Sequence, residues 1–140
     1  MTRGRNGPEL DVLPVRLLPD AAGDPLFDGL ADPASVVQWH WEEISRLPES
    51  AVWLADGDDY PHQAFRVGAA AWGVQGHPEV TADIASAWAR EDSPLLLAAG
   101  RDPASLVAEV RDAEPALTKT WQPVAARFAG LVAARAMAGA

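Results

Sequence analysis

A histidine and a glutamate two positions apart are the pair of residues best suited to do chemistry in this chain. His77 and Glu79 flank Pro78, which stiffens the link and disfavours helical geometry at the histidine. In extended backbone, residues two apart point to the same face. A carboxylate that accepts one imidazole N–H fixes the tautomer and leaves the other nitrogen free as a base. This arrangement is the base and orienter of a catalytic triad, which also needs a nucleophile.

The third member of such a triad has no candidate in the sequence. The 140 residues contain no cysteine, which excludes a cysteine nucleophile, a disulfide and a zinc–thiolate site from this chain. No Gly-x-Ser-x-Gly turn offers a serine in its place. On the pair alone, a hydrogen-bonded loop pair without chemistry is the favoured interpretation, and without a nucleophile we expect the isolated chain to be inactive.

Metal or cofactor binding is not expected. The spacing of His40, His62, His77 and Glu79 fits no standard ligand pattern. An acidic cluster at 56–59 lacks the later glutamate that a calcium loop needs. It is predicted to be a solvated hairpin turn.

Five candidate strands lead up to the pair. They are Leu13–Leu18, Ser35–Trp39, Ala51–Ala55, Gln63–Val67 and Ala69–Gln75. The last is a nearly continuous apolar run, which predicts a strand covered on both faces. His77 follows this strand directly, and sites in open α/β sheets collect beyond the carboxyl ends of strands.

The remaining residues predict helices. Thr81 is a candidate N-cap for a helix that ends near Arg90. Asp102 is a second N-cap, with Pro103 at the first helical position. A last helix is predicted to begin near Pro123, with an apolar stripe on one face.

The segment around the pair resembles a known family. Trp72–Thr81, with the sequence WGVQGHPEVT, resembles the closing active-site motif of class I glutamine amidotransferases, closest to the GMP-synthase-like subgroup. Further segments resemble the family in the same order: Pro8–Leu18, Trp39–Glu42, Leu47–Pro48, Ala51–Ala55 and Gln63–Arg66. The resemblance covers roughly residues 7–90. Several segments in the correct order are a much stronger signal than one short motif.

The resemblance implies a fold and a domain plan. The fold is α/β, part of a flavodoxin-like three-layer α/β/α domain, with strands in residues 10–76 followed by C-terminal helices. Residues 1–92 are predicted to be the C-terminal part of the amidotransferase domain, and residues 93–140 a helical extension that packs on it.

The resemblance also implies an activity, namely hydrolysis of the glutamine side-chain amide and transfer of the ammonia. His77 would be the general acid/base and Glu79 its orienter, two members of a Cys-His-Glu triad. The candidate substrate-side residues are His40, Trp41, Gln75 and Gly76. Gly76 departs from the family, where an aromatic residue often precedes the catalytic histidine.

The implied partners are glutamine, a nucleophile-bearing N-terminal half and a synthetase that accepts the ammonia. The chain would then be a fragment or one half of a split gene. Loss of the other half would leave Ala69–Gln75 as an open apolar edge, so a homodimer through that edge is also expected. The rival interpretations are a non-catalytic interaction module and a decayed amidotransferase remnant.

The charge and the hydropathy of the chain limit which partners and which cellular compartment are expected. With 11 basic and 20 acidic residues, the formal net charge is −9. Such a chain repels phosphate backbones and anionic membrane surfaces, so neither nucleic acid nor a membrane is an expected partner. No signal-peptide pattern and no span of about 20 apolar residues is present, and a cytoplasmic location is expected.

Overall fold

Short runs of strand-forming residues, separated by Pro, Gly and Asp, become seven β-strands in the computed structural model, which describes residues 1–139. The strands are β1 Thr2–Arg3, β2 Glu9–Leu17, β3 Ala34–His40, β4 Glu42–Glu43, β5 Ala51–Asp56, β6 Ala64–Val67 and β7 Ala71–Val74. A 3₁₀ turn, Pro19–Ala21, follows β2.

Five of these strands form one antiparallel sheet in the order β3-β2-β5-β6-β7. A separate two-stranded pair joins β1 to β4. The sheet curls so far that the chain just beyond β7 returns to β3, where His77 and Val37 form an isolated antiparallel bridge. Curling of the sheet therefore sets the position of the His-Pro-Glu loop.

All five predicted strands are present, but the environment predicted for the last one was wrong. A strand at Ala69–Gln75 was expected to be covered on both faces, whereas β7 spans Ala71–Val74 and is exposed at both ends. Small residues explain the difference. Alanine and glycine make the sequence of this segment apolar, but their side chains are too small to pack against both faces of the sheet. Gly73 leaves room for the Phe65 ring, which a Cβ at that position would approach to 2.5 Å.

Three helices follow the sheet. They are α1 Ala82–Glu91, α2 Ser93–Ala98 and α3 Pro103–Ala138. Both predicted N-caps are confirmed: Thr81 Oγ1 accepts from the Ile84 N–H at 3.3 Å, and an Asp102 carboxylate oxygen accepts from the Ser105 N–H at 2.8 Å. Within residues 1–139, no helix combines the length and apolarity needed to cross a membrane.

The predicted start of the last helix near Pro123 was wrong, because α3 runs without a break through Pro115 and Pro123. An interior proline removes a backbone hydrogen bond and normally ends or kinks a helix. Here tertiary packing offsets that cost, since Leu117 and Trp121 both lie between the two prolines and are both buried. Helix α2 was not predicted.

Packing of α3 on the sheet closes the hydrophobic core. Leu106, Val110, Leu117 and Trp121 are buried on one side of the helix, at spacings that place them on a common face. The Trp121 indole Nε1–H also donates to the Ser35 carbonyl of β3 at 2.8 Å. The helix is thereby tied to the strand that meets His77.

Helix α1 depends on its cap, and Thr81→Ala should lower the free energy of unfolding by about 1 kcal/mol, since one amide of the first turn loses its acceptor. Thr118→Ala is the matched control, because Thr118 is an exposed interior position of α3. Urea unfolding measures both variants. Equal stability of the two variants would contradict a capping role for Thr81.

Candidate active site

The His-Pro-Glu loop brings the candidate catalytic pair into contact. His77 Nδ1 lies 3.0 Å from Glu79 Oε1, and the side chains are 32% and 60% exposed. The carboxylate can only accept, so Nδ1 donates and the neutral ring keeps its lone pair on Nε2. No residue among 1–139 hydrogen-bonds to Nε2. The structure therefore leaves Nε2 of a partly exposed histidine without a hydrogen-bond partner among the described residues.

Two further contacts fix the position of His77. The backbone N–H of His77 donates to the Val37 carbonyl of β3 at 2.7 Å. The imidazole packs edge-to-face on Trp88 of α1, with ring centroids 4.9 Å apart. Trp88 in turn packs on Trp39, whose indole N–H donates to Asp92 at 3.0 Å. The aromatic row gives the imidazole a rigid wall on one side.

A buried polar cluster lies behind the loop. Its members are Glu9, Gln38, His40 and Gln63. Gln38 Nε2 donates to Gln63 Oε1 at 2.8 Å, and Gln63 Nε2 donates to Glu9 Oε2 at 3.0 Å. His40 Nε2 lies 3.1 Å from the same Glu9 oxygen.

This polar region extends to the hydroxyl of Tyr60, which donates to the Gly7 carbonyl at 2.5 Å. Burial raises the pKa of Tyr60, and the nearby carboxylates of Glu43 and Glu9 act in the same direction. A carboxylate raises a phenol pKa because it disfavours a second negative charge nearby. The fold therefore favours the neutral form of the Tyr60 hydroxyl.

The four residues proposed from sequence as substrate-side groups do not line one open site. His40 is buried, and both of its ring nitrogens already face protein acceptors. Gln75 is buried with its Oε1 accepting from the Ile44 N–H at 3.1 Å. Trp41 is half-buried against the core. Gly76 is buried, and a Cβ there would lie in tight contact with the side chains of Val36 and Gln38 on β3.

Sequence reasoning missed several residues that shape the site. Gln38 and Trp88 gave no signal, since each reads as an ordinary member of a strand or a helix. Glu9 and Gln63 lie inside segments that resemble the amidotransferase family. The order of those segments could have marked both residues, although no spacing rule connects residues 54 positions apart. Within residues 1–139, no group of three or more His, Asp or Glu residues could hold a metal ion.

Comparisons with known proteins agree with the fold. No protein-family model matches the chain. GMP synthase [glutamine-hydrolyzing] of Porphyromonas gingivalis is 41% identical over 58 residues, 41% of this chain and 12% of that protein. Gamma-glutamyl peptidase 5 of Arabidopsis thaliana is 31% identical over 84 residues, 59% of this chain and 34% of that protein.

Solved structures extend the likeness to nearly the whole chain. A glutamine amidotransferase from Thermotoga maritima superposes with a TM-score of 0.77 at 28% identity, covering 91% of this chain and 53% of that one. A glutamine amidotransferase from Methylobacillus flagellatus, at 21% identity, shares the fold with a TM-score of 0.74. The chain thus spans about half the length of these structures.

The fold and the sequence likeness together define part of a class I glutamine amidotransferase-like domain, a class with a flavodoxin-like α/β fold. Within the class, the sequence is similar to GMP synthases over the part of the chain that they match.

Proposed function

We propose that this chain supplies the His-Glu part of a Cys-His-Glu triad that hydrolyses the side-chain amide of glutamine. The observation that carries the proposal is the 3.0 Å contact between His77 Nδ1 and Glu79 Oε1, which leaves Nε2 open to a reactant. The chain has no cysteine, so the thiolate comes from residues outside this sequence.

The chemistry assigns His77 two proton transfers. Before turnover, the cysteine thiol gives its proton to His77 Nε2, which forms a thiolate and an imidazolium. The thiolate attacks the side-chain carbonyl carbon of glutamine, and the imidazolium donates that Nε2 proton to the departing nitrogen, which leaves as ammonia. Water then attacks the resulting thioester while His77 Nε2 takes a proton from it, releasing glutamate and the thiolate. Glu79 holds the ring and stabilises the imidazolium in the first step. The ammonia passes to a synthetase, as the GMP synthase relatives suggest.

Gamma-glutamyl peptides are a second candidate substrate. The relatives that match over 84 and 86 residues are named gamma-glutamyl peptidases, whereas the GMP synthases match over 58 or 59 residues. Glutamine and a γ-glutamyl peptide both present a γ-carbonyl to the nucleophile and differ only in the leaving amine. The same His77 chemistry serves both.

A mixing experiment tests the proposal. The full chain is combined with a cysteine-bearing N-terminal half of a related amidotransferase, and association is established by light scattering. Ammonia release from glutamine and amine release from a γ-glutamyl peptide are then measured. We expect turnover of one of the two substrates in the mixture and none with either part alone. The control is the same half with its nucleophilic cysteine changed to serine.

The rival function is a non-catalytic interaction module, and the edge of the sheet favours it. Strand β7 lies at the end of the sheet order, and beside it a groove of about 430 Å³ runs along α3, lined by Trp72, Val74 and Phe128 among others. Exposed strand edges invite pairing with another chain, including a second copy of this one. Association without turnover of either substrate would contradict the catalytic proposal and leave this function.

A further inference from the structure

The cluster of Glu9, Gln38, His40 and Gln63 calls for an explanation, because all four side chains are removed from water. Their exposed fractions are 4%, 0%, 7% and 2%. Burying polar groups is costly unless each finds a hydrogen-bond partner, and clusters that are only partly satisfied are worse than apolar packing. The hydrogen bonds within the cluster show how this cost is offset.

The orientation of both glutamine amides follows from their surroundings. Gln63 Nε2 faces two acceptors, Glu9 Oε2 at 3.0 Å and the Tyr60 carbonyl at 3.1 Å, so this end of the amide is the NH₂ group. Gln63 Oε1 then accepts from Gln38 Nε2 at 2.8 Å. Gln38 Oε1 consequently faces His40 Nε2 at 2.9 Å. Turning either amide over would place two acceptors against each other.

The same logic fixes the protons on His40. Its Nε2 faces Gln38 Oε1 and Glu9 Oε2, and its Nδ1 lies 2.8 Å from the Glu42 carbonyl. Every partner is an acceptor, so both ring nitrogens carry a proton and the ring is an imidazolium opposite the Glu9 carboxylate.

Two further titratable groups lie near His40. The Tyr60 ring is centred 6.2 Å from the imidazole. Glu43 is buried near that tyrosine and pairs with Arg5 at 3.2 Å. The charged group in contact with the ring is therefore the Glu9 carboxylate, 3.1 Å from Nε2.

The cluster meets the catalytic loop at three consecutive residues. The Gln63 carbonyl accepts from the Gln75 N–H at 2.9 Å. At Gly76, an added Cβ would lie 3.0 Å from Gln38 Oε1, so the loop passes close to that amide. His77 then donates its backbone N–H to Val37, the residue before Gln38. The loop that presents the imidazole thus lies directly on the cluster.

We propose that Glu9, Gln38, His40 and Gln63 are positioning residues for His77, and that they act with His40 in its doubly protonated form. The catalytic use of His77 rests on the function proposed above, whereas the positioning is a property of this chain alone. The geometry gives the reason. The donors and acceptors of these four side chains fit together in only one arrangement, and the loop that packs on them is therefore held in one conformation.

Two variants of the full chain test the positioning. Glu9→Gln removes the carboxylate from His40, and Gln38→Met keeps a similar side-chain length while removing both amide contacts. Glu49→Gln makes the first change at an exposed position and serves as the control. Hydrogen exchange of the His77 amide, corrected for intrinsic rate, should become about tenfold faster in both variants and stay unchanged in the control.

The protonation of His40 is tested separately by nitrogen NMR of histidine-labelled wild-type chain at neutral pH. Both ring nitrogens of His40 should resonate as protonated nitrogens, while His77 should show one protonated and one free nitrogen. A neutral His40 pattern would overturn that part of the proposal.

Folded variants with unchanged exchange at His77 would overturn the positioning role. Should either variant fail to fold by circular dichroism, the wild-type chain is titrated upward in pH until His40 loses a proton. Protection of the His77 amide should fall together with that event, and its persistence would contradict the proposal. Loss of positioning and lack of turnover in the mixing assay are independent results, so the two proposals can fail separately.

Discussion

His77→Ala lowers the rate of glutamine hydrolysis in the mixture of this chain with a cysteine-bearing half by about 10²- to 10⁴-fold, the usual contribution of a general acid/base. The imidazole moves protons in both chemical steps proposed above, and among residues 1–139 no other histidine combines an unbonded ring nitrogen with a carboxylate contact in the same loop. The measurement is the initial rate of ammonia release at saturating glutamine, with association of the two parts shown to be intact.

The control for this prediction is His62→Ala. His62 Nδ1 lies 2.6 Å from the Ile44 carbonyl, and the ring packs on Trp53, away from the His-Pro-Glu loop. Its removal should leave the rate within about twofold of the parent, as expected for substitutions away from a site. Glu79→Gln should give a smaller loss than His77→Ala, because the ring keeps a hydrogen-bond partner but loses the charge that stabilises the imidazolium. Equal rates for His77→Ala and the parent would remove His77 from the mechanism.

Local chemistry predicted most of the secondary structure. The caps at Thr81 and Asp102 were read correctly because a side-chain oxygen that accepts an amide N–H of the first turn is a short-range event. The five strands were found because turn residues such as those at 56–59 interrupt the apolar runs. The contact between His77 and Glu79 also followed from a two-residue spacing in extended backbone.

Long-range packing accounts for what the sequence did not predict. The order of strands places β7 at the end of the sheet, and no local pattern contains that information. The continuity of α3 across Pro115 and Pro123 comes from burial of Leu117 and Trp121 against the sheet. Tertiary packing of this kind commonly overrides a local helix-breaking signal.

In the candidate site too, local features could be predicted from the sequence and long-range contacts could not. The pair itself is local, but the groups that hold it come from β2, β3, the loop before β6 and α1. His40 was predicted from its motif to be a supporting residue on the substrate side, and its ring is enclosed by Glu9, Gln38 and the Glu42 carbonyl. This enclosure could not be predicted, because the motif carries no information about which way a strand turns its side chains.

Trp121→Ala should cost about 3–5 kcal/mol of the free energy of unfolding, the usual range for removing a buried large aromatic ring. Trp121 is only 5% exposed and packs edge-to-face on Phe27, with ring centroids 6.3 Å apart. A domain of this kind is stable by about 5–15 kcal/mol, so the loss is a large share of the total. Urea unfolding followed by circular dichroism measures the change.

Two further variants separate the contribution of core packing from those of the hydrogen bond and of the outer face of α3. Trp121→Phe keeps much of the ring packing but removes the hydrogen bond to the Ser35 carbonyl and a smaller part of the ring, so it should cost about 1–2 kcal/mol, less than Trp121→Ala. Phe128→Ala removes an aromatic ring from the same helix where it is 48% exposed, and it should cost about 1 kcal/mol or less. A Phe128→Ala loss as large as that of Trp121→Ala would mean that α3 is held by its outer groove rather than by the core. Because Trp121 is bonded to β3, two residues before the carbonyl that holds His77, its loss should also speed hydrogen exchange at the His77 amide in variants that remain folded.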